Sequence, residues 1–197
     1  MRYVDPDGRK IIIDSDDEQF VNNVNGALEY LSKSAKGKII IEELQKSDIN
    51  FFIRECIWLN TDDRDKFFVE NGINVIEWNA FYSVVAANGN YNSPAICLLH
   101  ELVHAFCYST DKGKKILHLF EKKYSDVLSA GFASASDELA VVYEISVSSE
   151  LGEVKGRKRY LDLMYIDNKI RIRPDENIIK YALSIKTQGF KENGSIK

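Results

Sequence analysis

The stretch PAICLLHELVHAFCYS, residues 94–109, places His100 and His104 four residues apart with Glu101 directly after the first. On a helix, positions i and i+4 share a face. Both imidazoles can therefore reach one Zn²⁺ at about 2.0–2.1 Å. Glu101 is turned by roughly 100° around the axis. It can approach the metal's water without being a ligand itself. Metal-assisted hydrolysis needs this division, with an open coordination position for water and a carboxylate beside it to take the proton. Leu98, Leu99, Leu102, Val103 and Phe106 make the rest of the segment apolar. The bland alternative is a buried helix whose histidines are merely hydrogen-bonded, since buried imidazoles need partners in any case. Cys97 and Cys107 extend the histidine stripe at spacings of three, and read as buried neighbours rather than ligands.

Such a helix needs a defined start and a third ligand. Ser93 suits an N-cap and Pro94 the first helical position, so a helix is predicted over 94–108, ended by Asp111 to Gly113. The extended motif HExxHxxGxxH would put a third histidine at position 110. Thr110 stands there, and Cys107 stands where the glycine would be, which excludes that class. The remaining histidine, His118, falls in the next predicted helix, 114–127, and is a weaker candidate. A third predicted helix, 135–151 with a stop at Gly152, offers Asp137, Glu138 and Glu144 among apolar neighbours. A carboxylate in that setting favours a cation. Glu138 is the preferred third ligand, with Asp137 as first reserve and Glu144 second. Complementing the helix dipole is the competing reading for Asp137 and Glu138. Tyr143, Arg157 and Tyr160 are candidates for stabilising an oxyanion, each with a structural alternative.

The segments that carry this centre precede it. KIIID (10–14) is a short β-rich run, 16–35 reads as a helix, and INFFIRECIWLN (49–60) and NGINVIEWN (71–79) read as strands. GKIIIEELQKS is ambiguous, because its isoleucines favour a strand and EELQK a helix. YLDLMYIDNKIRIRP reads as a hairpin around Asp167-Asn168, and the polar tail 187–197 is predicted to be mobile. Mixed strands followed by helices indicate an α+β domain. The chain has 197 residues, 45% hydrophobic and 28% charged, enough for one domain with a sizeable core. A net charge of -4 argues against general nucleic-acid binding. No apolar run has the length of a membrane span, and the first residues lack a Sec-type signal core. Three cysteines without CxxC spacing are neither a disulfide framework nor a zinc finger.

GINVIEWN, SPAICLLHELVHAF, DELAVVYEI and ELGEVKGRKRY together resemble the NleD-like effector metallopeptidases, a zincin family, over residues 71–160. The resemblance implies His100 and His104 as zinc ligands, Glu101 as general base, and Glu138 as the second member of the family's acidic pair. Asp137 stands where a glutamate is common, and Arg157 and Tyr160 match the R-x-x-Y ending in spacing only. RYVDPDGR (2–9) resembles the end of an Rhs-type core, where a variable toxin begins.

The combined expectation is a zincin-like α+β domain over 10–186, with a mixed or antiparallel N-terminal sheet, an active-site helix and a helical C-terminal half. Residues 1–9 would be the end of a core or a linker. Its activity would be zinc-dependent endopeptidase cleavage of a protein substrate, by an effector or toxin delivered into a target cell. A cognate immunity protein would be a partner; nucleic acid and membrane would not. The strand INVIEWN is expected at a sheet edge, where an extended substrate could add to it. The rival readings are a non-peptidase zinc hydrolase, a catalytically inactive toxin-derived binding module, and an immunity or adaptor protein.

Overall fold

The computed structural model describes residues 10–56, 65–81, 84–85, 91–128 and 134–153. The predicted hairpin, the tail, the segment 2–9, Arg157 and Tyr160 lie outside them. Strand β1 (Ile11–Ile13) is followed by helices α1 (Glu18–Leu31) and α2 (Ala35–Lys46). In α1, Asp17 accepts from the Gln19 amide at 2.8 Å, and Phe20, Val24, Ala27 and Leu31 form the buried stripe. The single helix expected over 16–35 stops at Leu31, because Ser34 begins a new one by accepting from the Gly37 amide at 3.0 Å. That cap resolves the ambiguous isoleucines. Gly37, Ile40, Ile41 and Leu44 line one buried helical face, and Ile39 points outward. Gly37 also permits close approach, since a Cβ there would lie 2.3 Å from the Leu31 carbonyl oxygen.

Strands β2 (Phe51–Glu55), β3 (Lys66–Glu70) and β4 (Ile73–Trp78) complete a four-stranded sheet in the order β1-β2-β4-β3. β1 pairs parallel with β2, and β2 with β4, while β3 is antiparallel to β4. The parallel β1–β2 pair requires a crossover, and α1 with α2 supplies it. Asn71 and Gly72 join β3 to β4 with φ of 50° and 77°, the Asn-Gly chemistry of a two-residue hairpin. The sheet corrects one expectation. Among the described residues the INVIEWN strand, β4, is internal, and the edge on that side belongs to β3, a strand with no expectation from the sequence. Two short strands, β5 (Val84–Val85) and β6 (Tyr91–Asn92), pair antiparallel beyond it.

Helix α3 (Pro94–Ser109) carries the HELVH motif. Twelve of its residues are buried, as expected of a helix that is apolar on nearly every side. It lies against the sheet through β3 and β4 and is enclosed by α1, α2, α4 (Asp111–Leu128) and α5 (Ala135–Leu151). Two of these helices precede the motif, so the helical content is not confined to the C-terminal half. The Trp78 indole N–H donates to the Pro94 carbonyl at 2.8 Å and ties β4 to the start of α3. Asp111 to Gly113 open α4 rather than ending α3. Buried Thr110 serves both helices, donating to the Phe106 carbonyl at 2.9 Å and accepting from the Gly113 amide at 3.0 Å. The architecture is α+β with a small mixed sheet.

Candidate metal centre

Ser93 starts α3 by accepting from the Ile96 amide. Two turns later, His100 and His104 leave the helix on one face, and their Nε2 atoms approach to 3.0 Å. Opposite them stands the first turn of α5. Its start is a capping box, in which Ser134 accepts from the Asp137 amide and Asp137 accepts from the Ser134 amide. The box engages only one carboxylate oxygen of Asp137. Oδ2 accepts from the Ser134 amide at 3.1 Å and its hydroxyl at 2.6 Å. Oδ1 faces His104 Nε2 at 3.3 Å and His100 Nε2 at 3.9 Å.

His100, His104 and Asp137 thus each offer one ligand atom, all within 4.8 Å of one another. Two imidazole nitrogens and a carboxylate oxygen are a donor set suited to zinc. The group contains Asp137, the sequence's first reserve, and not Glu138, which is half-buried one residue further around the helix. His118 is exposed on α4, and Cys97 and Cys107 are buried in the core. Tyr143 packs edge-on against Phe106 at 6.5 Å. By helix geometry it is turned about 120° from Asp137.

Glu144 is almost wholly buried, with 2% of its surface exposed. Its Oε1 lies 2.5 Å from His100 Nδ1, and its Oε2 accepts from Asn92 Nδ2 at 2.8 Å. Burial by itself would lower the His100 pKa, but Asp137 and Glu144 outweigh it and raise it to about 9. Burial pushes Asp137 the other way, yet hydrogen bonds from His100, His104 and Ser134 hold it well below the usual carboxylate range. Glu101 is buried beside this group, and its carboxylate accepts from the Phe67 amide of β3. Burial raises its pKa against the opposing pull of His100 and His104. Asp65, at the start of β3, is held well above its ordinary value by desolvation and by the nearby Glu101 charge. It accepts from the Asn79 amide at 2.8 Å.

Tyr108 lies one turn beyond His104 and is 52% exposed. Its ring runs nearly parallel to His104 on α3 and to Phe67 on β3. Its hydroxyl lies 2.8 Å from Ser136 Oγ. Sequence reasoning missed Asn92, Phe67, Tyr108 and Ser134. Tyr108 could have been found by extending the histidine stripe four residues, and Ser134 from the S-x-x-D capping pattern. Asn92 and Phe67 carry no local signal.

Neither the curated proteins nor the solved structures yield a match to this chain. A family model described as an effector protein, peptidase family M91, matches residues 7–140. The match takes in α3 and the opening of α5, and stops before Arg157 and Tyr160. Covering more than half of the sequence, it shows that the chain belongs to the M91 peptidase family of effector proteins, the NleD-like group its motifs resemble.

Proposed function

We propose that this effector-family peptidase is a zinc-dependent endopeptidase acting on a protein inside a target cell. His100, His104 and Asp137 would hold the ion. The observation that carries the reading is the convergence of both Nε2 atoms and Asp137 Oδ1 within 4.8 Å beside a buried glutamate. What favours Asp137 over Glu138 is its membership of that group. A bound zinc ion would supply Lewis acidity and a water of lowered pKa. Glu101, buried beside the three donors, would serve as the general base and would return the proton to the leaving amine.

Strand β3 supports an extended substrate. Among the described residues it is a sheet edge, and its Phe67 amide reaches Glu101. Because outward amides alternate along an antiparallel strand, the Val69 amide faces outward too. A substrate strand added there would run beside the base. Tyr143, Arg157 and Tyr160 remain proposals for oxyanion stabilisation. Origin as an Rhs-type toxin tip, with an immunity protein as partner, rests on the resemblance of residues 2–9. The family of effector proteins is consistent with delivery into a host cell, and among the described residues no helix is long and apolar enough to cross a membrane.

The test compares wild-type chain and Glu101→Gln, both loaded with zinc, on target-cell lysate, with new protein N-termini read by mass spectrometry. Wild type should generate cleavages that a chelator abolishes, and Glu101→Gln should generate none. Undiminished cleavage by the zinc-loaded variant would overturn the mechanism. A wild-type chain that takes up no zinc would overturn the site.

A further inference from the structure

We propose that Glu144 and Asn92 are a positioning pair that sets the tautomer and the orientation of His100. The inference rests on the zinc reading above and assigns Glu144 a role other than ligand. A carboxylate buried to 2% exposure where α5 packs on α3 is costly unless both oxygens are engaged. Here each has a partner, His100 Nδ1 for Oε1 and Asn92 Nδ2 for Oε2. An ionised carboxylate only accepts hydrogen bonds. The proton of neutral His100 must therefore sit on Nδ1, which leaves the Nε2 lone pair facing His104 and Asp137. Partners of this kind fix ring orientation and raise the basicity of a ligating imidazole.

The pair is built from two directions. Glu144 lies seven residues after Asp137, two turns along α5 and on the same face. One helix therefore delivers both a ligand and the group that orients another ligand. Asn92 comes from β6, immediately before the Ser93 cap of α3. The segment that starts the active-site helix thus also holds Glu144 in place.

The experiment uses the full chain as wild type, Glu144→Gln and Asn92→Ala. Zinc affinity is measured by competition with a chromophoric chelator, and the Co²⁺-substituted visible spectrum is recorded. Thermal melting in excess chelator reports folding apart from metal. We expect both variants to lose on the order of 10- to 100-fold in zinc affinity with a changed Co²⁺ spectrum, together with a lower chelator-state melting temperature, because a buried hydrogen bond of Glu144 is lost in each. A merely structural pair would lower that melting temperature and leave the spectrum of folded protein unmoved. Should Glu144→Gln fail to fold, Asn92→Ala carries the test, because it leaves the carboxylate in place. Wild-type affinity and spectrum in the folded variants overturn the proposal and leave the zinc reading standing. Absence of zinc uptake by wild type overturns both.

Discussion

Asp137 divides its two oxygens between a helix cap and a pair of histidines. That division explains how a first-turn acidic residue can serve α5 and still face the candidate centre. Its neighbour Glu138 has no place in the box. Asp137→Ala should therefore weaken zinc binding by more than the 10- to 100-fold typical of an outer partner, whereas Glu138→Ala should change it by no more than a few-fold. Chelator competition on the two variants decides between them. Ser134→Ala removes the N-cap acceptor and should cost about 1 kcal/mol of stability. It also removes the hydroxyl's bond to Oδ2 and leaves only the backbone amide there, so zinc affinity should fall along with the melting temperature. A fall in melting temperature with unchanged affinity would separate the cap from the site.

At the scale of elements, α3 owes its position to contacts on every side rather than to one amphipathic stripe. Leu102 lies between the two histidines and is wholly buried. Leu102→Ala should cost about 2–5 kcal/mol, measured by denaturant unfolding. The α3–α4 corner is equally tight. A Cβ at Gly113 would meet the Phe106 carbonyl oxygen at 2.0 Å and Cys107 Cα at 2.9 Å, both backbone. Gly113→Ala must push the two helices apart and should lower the melting temperature, despite alanine's better helix propensity. The edge strand permits a functional test. Proline is tolerated on a sheet edge, so Val69→Pro should remove one outward amide without unfolding the sheet. Under the proposed docking, kcat/KM for a protein substrate should fall while zinc affinity holds. Equal cleavage by Val69→Pro would argue that substrate enters elsewhere.

For the molecule as a whole, the candidate centre joins parts distant in sequence, because α3 brings the histidines and Glu101, α5 brings Asp137 and Glu144, and β3 and β6 bring the Phe67 amide and the Asn92 side chain around them. A second junction fastens the same elements at their other ends. Glu153 accepts from Tyr30 at 2.8 Å and from Ser93 at 2.7 Å, linking α1, the start of α3 and the end of α5. A ligand that binds only the folded chain stabilises it by about 2.7 kcal/mol at one hundred times its dissociation constant. Zinc should accordingly raise the melting temperature, and chelator should reverse the gain. A melting temperature indifferent to zinc would count against a centre that spans α3 and α5.

Local spacing made part of this legible before any fold was known. Ser93, Pro94 and the 100/101/104 pattern define a capped helix with two imidazoles on one face, because a helix start and an i, i+4 relation depend only on near neighbours. Thr110 excluded a third histidine on the same ground. Tertiary structure alone decided that Thr110 joins two helices without a loop, that Ile39 to Ile41 are helical, and that β3 rather than β4 forms the edge. It also brought Asp137 Oδ1 to the histidines and set Glu144 behind His100. Asp137, Glu138 and Glu144 share one apolar helix, and their residue types cannot rank them. Their separate surroundings come from how α5 packs on α3, a contact between residues some forty positions apart that no local pattern encodes.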